Sequence, residues 1–344
     1  MSMPKFYIIA EGIGFGHASR CMILAKELEK HGQVKIFTYG KAVEFVRQNG
    51  FHVHELDMDF TLKTCTKEKD LEKNIVNYIS KIKLADFTKL ILLMKKDTPK
   101  AIFVDSNIFG LCVAKVYGKA RIFFITNGND LAVFTNKGIL WNGAAVVSKF
   151  SIQVPERVFV PDFPPPYCIG QRNLAFYGME DKFCFVGPLA KRMDDDGWQH
   201  KLISLGGTDN ESAYKLLSQI DGKFISTGHK AKNIRRIKNE QYEEYFSKAE
   251  VVITHGGHNT IQECIMAGKP MVILHDGTYM ERVNNAKRVA ELGLGVEVDS
   301  RFANKQVLER AIEHAIELKP NCMKFAKSAA KFHAAREIVE MTIE

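Results

Sequence analysis

The feature that most constrains this chain is a unit that recurs along it: a short apolar run, a glycine turn, then an amphipathic helix. Lys5 to Ala10 reads as a strand and Glu11-Gly12-Ile13-Gly14-Phe15-Gly16-His17 as a glycine-rich turn. Ala18 to His31 reads as a helix carrying Met22, Leu24, Ala25 and Leu28 on one face. Val34 to Tyr39 follows as a strand. Parallel neighbours need a crossover connection, so strands alternating with helices predict a parallel sheet covered on both faces. The alternation continues through a helix at 42–48, a strand near 52–56, a helical region over 71–96, a strand at 101–104, a helix at 109–117 and a strand at 121–126. Val160-Pro161-Asp162-Phe163-Pro164-Pro165-Pro166, the run from Phe183 to Leu189 and the acidic Asp194-Asp195-Asp196-Gly197 then read as an inter-domain connection. The pattern restarts with a strand at 202–205, Gly206-Gly207, a helix at 210–219, a strand at 223–226 and a helix at 242–249. It ends with a strand at 251–254, Gly256-Gly257, a helix at 260–267, a strand at 271–274, and a pair of helices over 305–318 and from 321 onward.

The predicted fold class is therefore α/β, with two Rossmann-like doubly wound parallel-sheet domains in series, residues 1–187 and 188–344, and a C-terminal helix able to pack back on the first. The length of 344 residues, with 46% hydrophobic and 26% charged, suits two globular domains and excludes disorder or a disulfide miniprotein. No apolar run reaches the roughly 18 residues of a membrane helix, and the N-terminus lacks the apolar core of a secretory signal. Seven scattered cysteines without Cys-x-x-Cys spacing read as reduced thiols. A cytoplasmic location is expected. The net charge of +8 favours anionic ligands without specifying one, and no nucleic-acid partner is expected.

In open parallel sheets, ligands lie beyond the carboxyl ends of the strands, where turns and helix starts present free N–H groups. Gly12-x-Gly14-x-Gly16 lacks the spacing of a dinucleotide fingerprint, and the strand at 34–39 ends without the acid that would hold a ribose, which argues against NAD. His17 follows that turn, and its imidazole can take a proton from a hydroxyl if a carboxylate orients it. Asp105, ending a strand on the same rim, is the candidate; it could equally be a plain N-cap for the helix after it. In the second half a strand delivers His255 and Gly256-Gly257 to a helix start. There backbone N–H groups, Asn259 and Thr260 can converge on a diphosphate, and Glu263, one turn on, reaches vicinal hydroxyls.

The run His255-Gly256-Gly257-His258-Asn259-Thr260-Ile261-Gln262-Glu263, followed by Gly268-Lys269-Pro270, resembles the donor-binding signature of GT-B glycosyltransferases. That group includes UDP-glucuronosyltransferases, plant UDP-glycosyltransferases and the peptidoglycan GlcNAc transferase MurG. The resemblance implies that His255, Asn259 and Thr260 lie near the donor phosphates, that Glu263 binds the ribose, and that Gly206-Gly207-Thr208 forms the other phosphate-side loop. It aligns Asn285-Ala286 with the family's Asn-Ala, so Glu281 and Arg282 fall where most members contact the donor sugar. Arg282 departs from the usual residue, and a guanidinium there suits a uronate or another acidic group. Gly14-Phe15-Gly16-His17 resembles the acceptor-side loop whose histidine serves as base.

The activity so implied is inverting, metal-independent transfer of a hexosyl or glycuronosyl group from a UDP-sugar to a hydroxyl acceptor, such as a glycan or lipid, with no cofactor. Ile13 to Arg20 with Gly206-Gly207-Thr208-Asp209 also resembles the nucleotide-sugar hydrolase of the pseudaminic acid pathway, which has the same fold and passes the sugar to water. A third reading is a non-catalytic nucleotide-sugar or lipid-binding protein. No metal site is expected: Asp57-Met58-Asp59 reads as a solvated loop, and His52/His54 and His255/His258 lack further ligands at zinc spacing. Residues 63–100 hold ten lysines against five acids with apolar residues interleaved. Those apolar residues fit core packing, or a basic amphipathic helix touching an anionic membrane surface.

Overall fold

The computed structural model of the chain describes residues 3–58, 83–129, 139–197, 199–206 and 211–343, with backbone alone at 139–142. Asp59, residues 63–82 of the lysine-rich stretch, Gly207 and Thr208 lie outside the described residues.

The first sheet contains β1 (Lys5–Ala10), β2 (Gln33–Thr38), β3 (Val53–Glu55), β4 (Ala101–Asp105), β5 (Arg121–Ile125), β6 (Arg157–Val160) and β7 (Phe183–Phe185). Their order is β3-β2-β1-β4-β5-β6-β7, and every neighbouring pair is parallel. Because successive side chains of a strand point to opposite faces, β1 feeds two cores. Phe6, Ile8 and Ala10 pack with Cys21, Leu24 and Leu28 of α1 (Gly16–Leu28) and Val43 and Val46 of α2 (Lys41–Gln48). Tyr7 and Ile9 pack on the other side with Leu90 and Met94 of α3 (Leu84–Asp97) and Leu111 and Ala114 of α4 (Ile108–Tyr117). A fifth helix, α5 (Ile139–Gln153), adds Ile152 to this second layer.

The second sheet contains β8 (His200–Ser204), β9 (Phe224–Ser226), β10 (Ile234–Arg236), β11 (Ala249–Thr254), β12 (Met271–His275) and β13 (Gly295–Asp299). The order is β10-β9-β8-β11-β12-β13, again parallel throughout. Its helices are α6 (Glu211–Leu217), α7 (Tyr242–Ser247), α8 (His258–Ala267), α9 (Met280–Glu291), α10 (Lys305–Glu317) and α11 (Lys319–Ala329). Ile203, Val251, Ile253 and Val272 meet Leu217, Leu308 and Ile312 in one core. The fully buried Lys269 donates to the carbonyls of Ser247 at 2.7 Å and Ala249 at 2.9 Å and pairs with Asp195. Lys319 holds the same carboxylate. That staple ties the acidic Asp194 to Asp196 segment to this sheet.

The compact units are not two consecutive stretches of chain. One comprises Met1–Pro164, Asn173–Leu189 and His333–Glu344; the other comprises Pro165–Arg172 and Ala190–Phe332. β6, which ends where the region read as a connection begins, and β7, within it, join the first sheet as strands of four and three residues that are too short to show a period. The last helical pair is three helices. After the break at 330–333, α12 (Ala334–Ile343) packs on α1 and buries Ala334, Ile338 and Val339 in the first unit's core. Two cations fix its end: Lys100 Nζ donates to the Ile343 carbonyl at 2.9 Å and Arg121 Nη1 to that of Thr342 at 2.8 Å. The basic run Lys230 to Lys238 holds edge strand β10, in which Ile234 is buried and Arg235 and Arg236 are exposed.

Candidate functional site

Strand order reverses between β1 and β4 in the first sheet and between β8 and β11 in the second. At such a reversal the connections leave toward opposite faces and open a crevice beyond the carboxyl ends. The described candidate residues belong to the connections at these two reversals, apart from Glu281 and Arg282, which follow β12.

At the first reversal Ala10 pairs with Asp105, so the turn after β1 starts level with that carboxylate. Gly14 sits in the turn with φ 75, and Gly16 is the first residue of α1. His17 therefore lies in the first helical turn, with Arg20 three residues on and on the same face. His17 Nδ1 is 2.8 Å from Asp105 Oδ1, and Asp105 is fully buried. Arg20 grips both oxygens of that carboxylate, Nε on Oδ2 at 2.5 Å and Nη2 on Oδ1, while its Nη1 donates to Asn127 Oδ1 at 2.8 Å. The Cys21 thiol adds a contact to Oδ2 at 3.3 Å. Burial alone would raise the Asp105 pKa, but the charges and hydrogen bonds of Arg20 and His17 hold it well below the usual carboxylate range. The cap of α4 is Asn107, whose side chain accepts from the Gly110 N–H at 2.7 Å, so Asp105 is committed to His17 and Arg20.

Glu11 sits at the start of the same turn. Its Oε1 accepts from the Gly12 N–H at 3.1 Å, and Asn107 Nδ2 lies 3.4 Å from Oε2. Burial, aided by the charge on Asp105 and opposed by the Gly12 and Ile13 N–H groups, pushes its carboxyl up to about 8. Glu11, Arg20 and Asn127 were not singled out from the sequence. Only Arg20 carried a signal there, its spacing of three from His17.

At the second reversal Thr254 pairs with Ser204, which sets the Gly206 and His255 turns level. Gly206 has φ 70, and a Cβ there would stand 2.9 Å from Cε1 of the His255 ring. Gly256 has φ 88, and its Cβ would meet the Arg282 carbonyl at 2.9 Å. Both positions therefore demand glycine, on conformation and on space. Asn285 Nδ2 donates to the Gly256 carbonyl at 3.0 Å and locks the turn. Burial, with Arg282 nearby, drives the His255 pKa down to about 3, while the Ser204 backbone opposes this by accepting a ring N–H. The ring is neutral, and its buried Nδ1 has no hydrogen-bond partner.

Asn259 and Thr260 lie in the first turn of α8, which Gly257 caps. One turn further, Glu263 Oε2 accepts from the Tyr242 hydroxyl at 3.2 Å. Burial pushes the Glu263 carboxyl up to about 7 against the opposing effects of Tyr242 and Lys191. Tyr242, on α7, is a partner that the sequence pattern did not indicate. Glu281 and Arg282 open α9, and the Arg282 guanidinium lies over the Tyr279 ring with 4.4 Å from Cζ to the ring centroid.

Of the lysine-rich stretch, α3 is described. Leu90 and Met94 are buried there, while Leu84 and Leu92 are 77% and 59% exposed. Among the described residues no helix is long and apolar enough to cross a membrane.

Residues 220–341 match the glycosyltransferase family 28 C-terminal domain. A Methanosarcina mazei protein described as an uncharacterized glycosyltransferase is 26% identical over 321 residues, covering 85% of this chain and 84% of its own. The NDP-glycosyltransferase YjiC of Bacillus subtilis is 24% identical over 357 residues, covering 90% and 89%. Among solved structures, the spinosyn forosaminyltransferase SpnP superposes with a TM-score of 0.70 at 15% identity over 100% of both chains.

Proposed function

The chain belongs to the GT-B glycosyltransferases of family 28, and from that premise we propose that it moves a sugar from a UDP-sugar to a hydroxyl acceptor with inversion at the anomeric carbon. The observation that carries the donor half is the turn from His255 to Gly257 locked beside Gly206, with Glu263 one helical turn on. Backbone N–H groups at the start of α8, Asn259, Thr260 and the Arg282 guanidinium would stabilise the charge that grows on the departing diphosphate. His255, neutral and with one ring N–H given to Ser204, has its Nδ1 lone pair left to accept from a hydroxyl of the donor. Glu263 would bind the ribose hydroxyls.

In the first unit His17 is the base. An acceptor oxygen attacks the anomeric carbon from the face opposite the diphosphate, the bond to the phosphate oxygen breaks with its electron pair, and His17 Nε2 takes the hydroxyl proton. Asp105 accepts the Nδ1–H bond and steadies the imidazolium that forms. Those preorganised donors would take over the charge stabilisation a metal could supply, so the proposed step runs without metal or cofactor. The same base could activate water, which the likeness of Ile13 to Arg20 to a nucleotide-sugar hydrolase makes the second reading.

A thermal-shift panel of UDP, dTDP, CMP, GDP and NAD tests the donor class. A ligand at 100 times its dissociation constant adds about 2.7 kcal/mol of apparent stability. Selective stabilisation by UDP is expected, followed by UDP-sugar consumption that depends on an added acceptor. Consumption without acceptor would select hydrolysis, binding without consumption would leave a non-catalytic protein, and a response confined to CMP or NAD would overturn the substrate class.

A further inference from the structure

The carboxylate that orients His17 is not its own. We propose that Arg20 is a positioning residue that sets the tautomer and proton affinity of His17 through the Asp105 carboxylate they share; the role rests on the reading of His17 as the base. The guanidinium engages both Asp105 oxygens and is itself anchored by Nη1 on Asn127. A planar fork on a carboxylate fixes its plane as well as its position, so Oδ1 is held where His17 Nδ1 meets it at 2.8 Å. An ionised carboxylate only accepts, so it selects the tautomer with the proton on Nδ1 and leaves the Nε2 lone pair for the acceptor hydroxyl.

The same guanidinium also acts on the ring directly. Arg20 Nη2 stands 2.9 Å from His17 Nδ1. It can only donate, so it competes with Asp105 for that nitrogen, disfavouring a proton on Nδ1 where the carboxylate favours one, and it repels an imidazolium that Asp105 attracts. Asp105 and Arg20 together carry no net charge, so His17 faces a compensated pair, not a bare carboxylate. Other groups facing this cluster among the described residues are Glu11 from the end of β1, Cys21 on α1, Asn127 after β5 and Ser106 after β4. Glu11 is neutral at pH 7 because burial pushes it up to about 8, and burial keeps the Cys21 thiol protonated. Arg20 therefore shares the Asp105 carboxylate with His17.

The test is an NMR titration of protein labelled with 15N in its imidazole rings, with the His17 signals identified by their loss in His17→Gln. No substrate is needed, so failure of the transferase reading appears separately, as absence of UDP binding or of donor consumption. In the wild type the neutral ring is expected as the Nδ1–H tautomer. Arg20→Gln should raise the His17 protonation midpoint by about one unit, a roughly tenfold tighter hold on the proton. Arg20→Lys, which keeps the charge but loses the fork, should return the midpoint about halfway to the wild type. An unchanged midpoint in Arg20→Gln, or a Lys variant displaced as far as the Gln variant, would overturn the proposal. If the Gln variant does not fold, a full-unit displacement in Arg20→Lys or an Nε2–H tautomer in the wild type would overturn it as surely.

Discussion

Beyond β4 a buried carboxylate is met by side chains of His17, Arg20 and Cys21, whereas beyond β11 a buried imidazole keeps one nitrogen without a partner. The two reversals share one topology, parallel order inverted beside the first strand of the sheet, yet they satisfy their polar groups in opposite ways. At the first Arg20 and Asp105 cancel within the protein, although Glu11 is pushed up to about 8 and the Thr38 and Tyr39 hydroxyls at the end of the neighbouring β2 are buried without a partner. At the second the ionisable groups are driven toward neutrality, with His255 down to about 3 and Glu263 up to about 7, and the Thr254 hydroxyl is also buried without a partner. A buried polar atom left unmatched costs about 1–3 kcal/mol. On the proposed function, the rim that would move a proton holds its charged groups in internal pairs, while the rim that would hold a charged ligand leaves part of its bonding to that ligand.

The largest expected effect separates the two rims outright. His17→Ala should lower turnover by about 10² to 10⁴-fold, the range for losing a general base, with UDP affinity unchanged. Steady-state kinetics beside calorimetric titration of UDP would check this, and equal damage to both quantities would merge rims that are here kept apart.

Glu263→Gln should do the reverse. Its carboxyl titrates at about 7 in the folded protein against 4.5 when unperturbed, burial being the main cause. The folded state thus binds that proton more tightly than the unfolded state, so this group favours folding most below about pH 4.5, and the advantage is lost as pH rises through 7. The Gln variant should melt a few degrees above the wild type at pH 8, no higher at pH 5, and bind UDP more weakly at both. Melting curves at the two pH values with UDP titrations measure it; unchanged UDP affinity would remove Glu263 from the ribose.

The smallest effect compares glycines. Gly14 and Gly206 both have positive φ, but a Cβ on Gly14 meets nothing within 4 Å and one on Gly206 meets the His255 ring. A left-handed non-glycine residue costs roughly 1–2 kcal/mol. Gly14→Ala should lose about that much stability by denaturant unfolding. Gly206→Ala should lose more and also weaken UDP binding. Equal losses would mean that the His255 ring moves aside freely.

Much of this was legible along the chain. The run from Lys5 to His17 and that from Val251 to Glu263 each combine a fully buried strand, a glycine turn and a helix start, and local rules read such units well. Other elements were missed. Phe183–Phe185 is a three-residue edge strand within a segment read as a connection, and α9 and β13 were passed over although Val283, Ala286 and Val289 recur at helical spacing. Asp105 was found as an orienting residue or a cap, and only coordinates could show that Asn107 takes the cap. Arg20 carried one signal, its spacing of three from His17, but nothing in the sequence placed it on Asp105.

By itself the sequence determined the class of fold, the two parallel sheets and the turns that hold the candidate residues, because hydrophobic period and glycine placement act over a few residues. Tertiary structure alone decided which strands lie side by side at the reversals, and hence that Asp105 meets His17 and Arg20 and that Gly206 meets His255. Those partners are separated by 88, 85 and 49 positions in sequence, and no local preference encodes such a meeting. It follows from strand order, set by how the whole set of apolar faces is buried at once.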